Sequence, residues 1–255
     1  MKINRQHVID TFANYVKNYN DNDSKVKLKI EHTYRVAGLC QMIGASQGLT
    51  GEELDLCWLT GMLHDIGRFE QLRRFNTFND AMSVDHAMLG CEILFKDGMI
   101  RDFVQDDGED KLLYDAIGCH SAYKIPENFD ERTKMFSNIL RDADKIDILK
   151  VNCDFPLEEI YNATTEEIKN GDVTLEVMEA VRERHTVLRS LKKTAIDNVV
   201  GHISLVFELV YPESVEIVKK QGYLDKMMAF ESDNEKTRRA FVTIRDIIND
   251  YMNDR

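Results

Sequence analysis

The sequence has few of the residues that interrupt helices or join separate domains. It contains only three prolines, at 126, 156 and 212, and no Gly/Ser-rich linker. No apolar run is long enough to span a bilayer, and the first residues lack the apolar region of a secretory signal. We therefore expect neither a membrane span nor a secretion signal, and no loose string of small domains.

Cysteine and positive charge are also scarce. The five cysteines are odd in number, widely spaced and never arranged as Cys-x-x-Cys, which excludes an obvious disulfide framework or zinc ribbon. Free thiols are typical of a reducing compartment, so we expect a cytoplasmic protein. The net charge of −12 argues against a protein that coats duplex DNA or anionic membranes. No P-loop or dinucleotide-binding glycine fingerprint is present.

The apolar residues recur with the period of a helix along most of the sequence, and we find no convincing alternation typical of strands. We therefore predict an all-α fold. The chain of 255 residues is long enough for one large domain, or a domain with a helical extension. A polar segment over residues 69–83 is predicted to be a long, functional loop. The predicted helices cover about residues 4–19, 25–46, 51–65, 111–121, 130–150, 165–169, 173–193, 215–220 and 234–252. A further helix is predicted to begin at about residue 86, and the helix that starts at 173 runs on, or restarts, towards 209.

One apolar stretch, residues 56–68, ends in an adjacent histidine and aspartate. It is apolar on almost every side, so as a helix it would be buried, and Gly67 is expected to stop it. His64 and Asp65 would then lie on the last turn of a buried helix. An imidazole and a carboxylate are costly to bury without partners, and a bound metal ion would supply one to both.

Four of the seven histidines lie where the periodicity faces the core. They are His32, His64, His86 and His120. A later helix adds Asp142, Asp144 and Asp147. Imidazole and carboxylate together suit Fe, Mn, Zn or Ni. A single core-facing histidine is more often a hydrogen-bonded core residue than a ligand, and no spacing here is diagnostic by itself, so both interpretations stay open at this point.

This ordered set resembles the HD-domain superfamily of metal-dependent phosphohydrolases, in the variant that binds two metals. The matching motifs are His32 in Glu-His-Thr-Tyr-Arg-Val, His64-Asp65 in His-Asp-Ile-Gly-Arg, His86, His120 and Asp144 in Ala-Asp-Lys-Ile-Asp. The resemblance covers about residues 25–150. It implies an all-α, HD-domain-like bundle over residues 1–150, with additional C-terminal helices over 151–255 that pack on it.

The resemblance also implies a role for each residue. One metal would be held by His32, His64, Asp65 and Asp144, and a second by His86, His120 and Asp65, which bridges the two ions and is the catalytic ligand. Only the family's Ala-Asp-Lys pattern selects Asp144 over Asp142. The implied cofactors are thus divalent transition metal ions, two of them in this variant. The segment after His120 lacks the Gly-Tyr-Pro signature of the cyclic-dinucleotide branch, which argues against that branch.

Two basic residues are candidates for binding substrate. Arg68 lies three residues after Asp65 and would emerge at the mouth of the site, where its planar fork suits a phosphate or a carboxylate. The alternative is a surface arginine on a loop. Lys124 would reach the site from the loop after His120. Arg73 and Arg74 are interpreted either as solvated residues or as groups that steer an anion. A basic stretch over residues 182–193 is interpreted as a solvated helix face or the lid of an anion pocket.

The expected activity is metal-dependent hydrolysis of a nucleotide or another small phosphoester by a metal-activated water. The alternative is a di-iron oxygenase, because the same scaffold and ligand set also host oxygenases. A third hypothesis is a domain that binds a nucleotide and signals to a partner, although such a domain would not need six ligands. The oligomeric state, the metal and the substrate cannot be derived from the sequence.

Overall fold

The computed structural model describes residues 1–20 and 22–255, and within these ranges it contains helices and no strand. The predicted all-α fold is therefore confirmed. The α-helices are α1 (Arg5–Val16), α2 (Ser24–Ser46), α3 (Gly51–Leu63), α4 (Ile66–Phe75), α5 (His86–Cys91), α6 (Ile100–Phe103), α7 (Asp110–Gly118), α8 (Glu131–Asp154), α9 (Leu157–Tyr161), α10 (Thr165–Asn170), α11 (Leu175–Arg182), α12 (Ala195–Ile203), α13 (Pro212–Gln221), α14 (Tyr223–Met228) and α15 (Glu235–Asn253).

The chain divides into two compact units, an N-terminal unit of residues 1–144 and a C-terminal unit of residues 145–255. The change from one unit to the other falls within α8. None of the helices described has both the length and the apolar character needed to cross a membrane.

In the N-terminal unit, α2 and α3 approach each other closely at a pair of small residues. A Cβ atom added to Gly61 would lie 2.5 Å from the Cα atom of Ala37. Any side chain at Gly61 would hold the two helices apart. This contact lies one turn before His64, so it fixes the distance between the histidines that α2 and α3 carry.

A second close approach corrects the prediction for Gly67. This glycine does not stop a helix, because α3 already ends at Leu63 and Gly67 lies in the first turn of α4. A Cβ atom there would lie 2.2 Å from the backbone oxygen of His86 and 2.6 Å from the nitrogen of Gly90. Glycine is therefore needed for the contact between α4 and α5, which positions His86.

The predicted loop over residues 69–83 is also wrong for its first half. Residues up to Phe75 continue α4, which ends at Asn76 in the left-handed conformation (φ 53°). The polar residues that suggested a loop form pairs along the helix, where the buried Glu70 accepts hydrogen bonds from Arg73 and Arg74. These ion pairs, between residues three and four positions apart, neutralise charges that the polar pattern had suggested were solvated in a loop.

The C-terminal unit corrects the predicted helix over residues 173–193. Helix α11 ends at Arg182, and Arg184 adopts a positive φ of 57°. A 3₁₀ turn over Arg189–Leu191 follows before α12 begins. Asp197 stabilises this arrangement, because its buried carboxylate accepts hydrogen bonds from the backbone N–H groups of Thr174, Lys193 and Thr194. The basic residues are thus divided between a helix end and a turn.

Candidate metal centre

Six sequence-predicted residues meet at one place in the N-terminal unit. They are His32 within α2, His64 at the end of α3, Asp65 between α3 and α4, His86 at the start of α5, His120 just after α7, and Asp144 within α8. The four histidines and Asp65 are buried, whereas the side chain of Asp144 keeps 16% of its exposure. The structure therefore brings together all the side chains that were predicted to bind metal.

The first group of donors contains His32, His64 and Asp144. The Nε2 atom of His32 lies 3.2 Å from that of His64 and 3.2 Å from Oδ1 of Asp144. Oδ2 of Asp65 lies 3.5 Å from both of these nitrogens. The carboxylate of Asp144, rather than a neighbouring one on α8, is the one that the structure brings to this group.

The second group contains His86 and His120. Their Nε2 atoms are 3.1 Å apart, and Oδ1 of Asp65 lies 3.5 Å from the former and 3.8 Å from the latter. Asp65 thus directs one oxygen towards each group of donors. A carboxylate that faces two sets of imidazole nitrogens in this way has the geometry of a bridging ligand.

Hydrogen bonds at the opposite ring nitrogens determine which atoms are free to bind metal. Nδ1 of His64 lies 2.8 Å from the backbone oxygen of Gly61, and Nδ1 of His120 lies 2.7 Å from that of Ile117. A carbonyl oxygen can only accept, so both Nδ1 atoms carry the proton and donate. Nδ1 of His86 likewise donates to Oδ2 of Asp80, at 2.7 Å. Such bonds hold a ring with its Nε2 lone pair directed into the cluster.

Burial keeps these rings neutral. It lowers the pKa of His64, and with the charge of Arg68 it lowers the pKa of His86 to about 4. Burial and the neighbouring His64 lower the pKa of His120 to about 4. At pH 7, His86 and His120 therefore present two bare nitrogen lone pairs to each other, 3.1 Å apart and without a proton between them.

This arrangement fits a cation. Two facing lone pairs repel each other unless a positive charge lies beside both of them. The metal–nitrogen bond length of 2.0–2.1 Å places neighbouring donors of one ion about 2.9–3.4 Å apart, which matches both imidazole pairs. The donor set of imidazole and carboxylate suits a divalent transition metal.

Lys29 is a residue of this site that the sequence analysis missed. Its Nζ lies 2.7 Å from Oδ2 of Asp65. Burial opposes ionisation of Asp65, but the cations of Lys29 and Arg68 hold the pKa of this carboxyl well below its usual range. Its position could have indicated this role, because Lys29 precedes His32 by three residues and therefore lies on the same face of the helix.

Arg68 lies beside the donors, and 14% of its side chain is exposed. Hydrogen bonds to other residues hold its guanidinium in place. Its Nη1 donates to the backbone oxygen of Phe78, to Oε1 of Gln71 and to Oδ1 of Asp80. Its Nε is buried without a hydrogen-bond partner, 3.6 Å from Oδ1 of Asp65. Arg68 thus supports Asp80, which in turn orients His86, and its contact with substrate stays a prediction.

The other basic candidates lie outside the donor cluster. Lys124 is exposed on the turn after His120, and its role in binding substrate stays a prediction. Arg73 and Arg74 pair with Glu70. In the C-terminal unit, Lys193 pairs with Glu176, so the basic stretch there is partly neutralised.

The fold and the donor cluster define a helical metal-binding domain. Residues 30–152 match the family model of the HD domain, and all six donors fall within them. This part of the chain is therefore similar to the HD domain, and its cluster of histidines and aspartates fits the metal site of such a domain. The comparisons with curated proteins and with solved structures gave no significant match.

Proposed function

We propose that this protein is a phosphohydrolase that cleaves a nucleotide or another small phosphoester with two divalent metal ions. The observation that carries the proposal is the position of Asp65, whose two oxygens face two separate groups of imidazole nitrogens. When bound in such a pair, divalent ions polarise a phosphoryl oxygen and activate water for attack on phosphorus.

The protein's own residues would have three tasks at such a centre. His64 and His120 keep their Nε2 atoms available because backbone carbonyls hold the opposite nitrogen. Asp80 does the same for His86. Asp65 and Asp144 supply negative charge that would hold the ions close together.

Two cations beside the donors support a negatively charged substrate. Nζ of Lys29 and the guanidinium of Arg68 lie 5.5 and 5.7 Å from the centre of the Phe78 ring. Both also lie beside Asp65, at 2.7 and 3.6 Å. In a protein with a net charge of −12, these two cations, together with the bound ions, would favour a phosphoryl group over a neutral polyol.

Arg68→Lys tests the proposal, with Arg73→Lys as a matched control. The control arginine lies on the same helix and is largely exposed. We expect Arg68→Lys to lower phosphate release from the best substrate in a panel of nucleotides about tenfold to a thousandfold, since lysine cannot reproduce the planar guanidinium that binds Asp80 through one nitrogen and offers another to substrate. Arg73→Lys should leave phosphate release unchanged.

Metal content and oxygen uptake, measured in parallel, give the cause of any loss of phosphate release. Retained metal content in Arg68→Lys would support a contact with substrate, whereas loss of metal would assign Arg68 to the support of Asp80 alone. Oxygen consumption coupled to turnover of an unphosphorylated polyol, with no phosphoester hydrolysed, would contradict a phosphohydrolase and support the oxygenase.

A further inference from the structure

Two cations flank the carboxylate of Asp65, one beside each of its oxygens. Nζ of Lys29 lies 2.7 Å from Oδ2, the oxygen that faces the first group of donors. Nε of Arg68 lies 3.6 Å from Oδ1, the oxygen that faces the second group. Each group of donors therefore has a cation beside the oxygen of Asp65 that it shares.

Both cations keep N–H donors that the protein does not use. An ammonium group has three N–H donors, and among the residues that the structure describes only Asp65 accepts from Lys29. Nε of Arg68 is buried without a hydrogen-bond partner. The side chains of Lys29, Arg68 and Asp144 are 17%, 14% and 16% exposed, so the centre opens to solvent beside both cations. An anion that enters there would find these donors available.

The carboxylates of the centre determine how much positive charge a substrate would meet. Asp65, Asp80 and Asp144 outnumber the two cations that lie beside them. Two divalent ions, bound as proposed above, would outweigh these three carboxylates, and Lys29 and Arg68 would then add positive charge that no carboxylate offsets. A substrate group with two negative charges would gain more from this surplus than a group with one.

We propose that the centre selects phosphomonoesters over phosphodiesters, and that Lys29 makes this selection by binding a terminal phosphoryl oxygen. A phosphomonoester carries up to two negative charges and has three terminal oxygens, whereas a diester carries one charge and has two such oxygens. Two oxygens suffice for two ions, so only the monoester keeps a third for the unused donors of Lys29. This inference rests on the proposed phosphohydrolase activity, because it concerns the same centre.

The first test is a binding measurement that needs no turnover. Phenylphosphonate carries two negative charges at about pH 8.5 and has three terminal oxygens, whereas its monomethyl ester carries one charge and has two. Calorimetric titration of the metal-loaded full chain should show that phenylphosphonate binds at least about tenfold more tightly, since the ester lacks a charge-assisted hydrogen bond. Equal affinities would overturn the proposal.

Lys29→Gln tests the residue itself, with Lys27→Gln as the matched control. Lys27 lies on the same helix and is exposed. Lys29→Gln should remove most of the difference between the two affinities and leave the metal content unchanged, whereas Lys27→Gln should change neither. An unchanged difference in Lys29→Gln, or the loss of its metal, would overturn the role of Lys29, because the lysine would then only hold Asp65.

Hydrolysis by the wild type distinguishes this inference from the proposed function, and it decides the selection even if Lys29→Gln does not fold. We expect kcat/KM for 4-nitrophenyl phosphate to exceed that for bis(4-nitrophenyl) phosphate at least about tenfold, for the reason given for the phosphonates. Faster turnover of the diester would overturn the selection and leave the phosphohydrolase intact. Hydrolysis of neither ester, and of no nucleotide, would contradict the phosphohydrolase and this inference with it.

Discussion

The N-terminal and C-terminal units bury charged groups in different ways. In the C-terminal unit, Asp197 is fully buried, and both of its oxygens accept hydrogen bonds from backbone N–H groups. In the N-terminal unit, Asp65 is equally buried, but its oxygens face imidazole nitrogens and the ammonium group of Lys29. One carboxylate closes a local turn, and the other belongs to a group of donors that face one another.

The two carboxylates indicate which of the two sites needs a bound ligand. Buried polar groups are normally paired within the protein, as Asp197 is. Nε2 of His86 and Nε2 of His120 are instead directed at each other as lone pairs, and their Nδ1 atoms are occupied elsewhere. Such a cluster is complete only with cations, whereas the site at Asp197 is complete without them.

The largest effect is expected from Asp65→Ala, because this residue serves both groups of donors. We predict that it weakens the binding of both ions by at least about a hundredfold, since the loss of mere supporting residues already costs 10–100-fold. His120→Ala should weaken only the ion at the second group. Equilibrium dialysis with metal analysis measures both, and an identical loss in the two variants would show that Asp65 does not bridge.

Asp197→Ala should lower the stability of the protein and leave metal binding unchanged, which is the opposite of the effect expected for Asp65→Ala. Three backbone N–H groups would lose a charged acceptor in a buried place, which should lower the free energy of unfolding by about 3 kcal/mol. Metal binding should be unchanged in the fraction that remains folded. Urea unfolding with parallel metal analysis checks this prediction, and a stable variant with weakened metal binding would remove the distinction between the two units.

Gly67→Ala tests whether close backbone packing positions the second group. Its Cβ atom would collide with the backbone of α5, and overpacking of this kind costs about 1–3 kcal/mol. We expect lower stability and weaker binding at His86, with the first group affected less. Gly38→Ala is the control, because nothing lies within 4 Å of its added Cβ and alanine favours a helix. Equal behaviour of the two variants would mean that this contact does not position His86.

Asp80→Asn should give the smallest effect. The amide can still face Nδ1 of His86 but lacks the negative charge that orients the ring, so the ion at the second group should bind about tenfold more weakly. The ion at the first group should be unaffected. Metal titration by calorimetry distinguishes the two, and unchanged binding at both groups would exclude a supporting role for Asp80.

The helical fold and the six donors could be predicted because each corresponds to a pattern in the sequence. A helix imposes its period on the apolar residues, and the donors follow a family order along the chain. The assignments of Gly67 and of residues 69–75 fail for a different reason. Glycine signals both a helix end and a close packing contact, and only the position of α5 distinguishes them.

The residues that support the donors are harder to predict, because no sequence pattern identifies them. Asp80 begins a 3₁₀ turn of only three residues, Asp80–Met82, where no periodicity indicates that its carboxylate reaches His86. Gln71 donates to Asp80 from a helix that the polar composition had suggested was a loop. Lys29 could have been found, since it shares a helix face with His32, but many lysines at such spacings are solvated.

The number of metal ions per folded chain is the direct test of a dinuclear centre bridged by Asp65. The protein should be purified without oxygen, loaded with iron or manganese, freed of excess metal and analysed for metal and protein together. The two groups of donors joined by Asp65 predict about two ions per chain in the wild type. One ion at most, under metal-replete conditions, would contradict the dinuclear centre and leave only the group of His32, His64, Asp65 and Asp144.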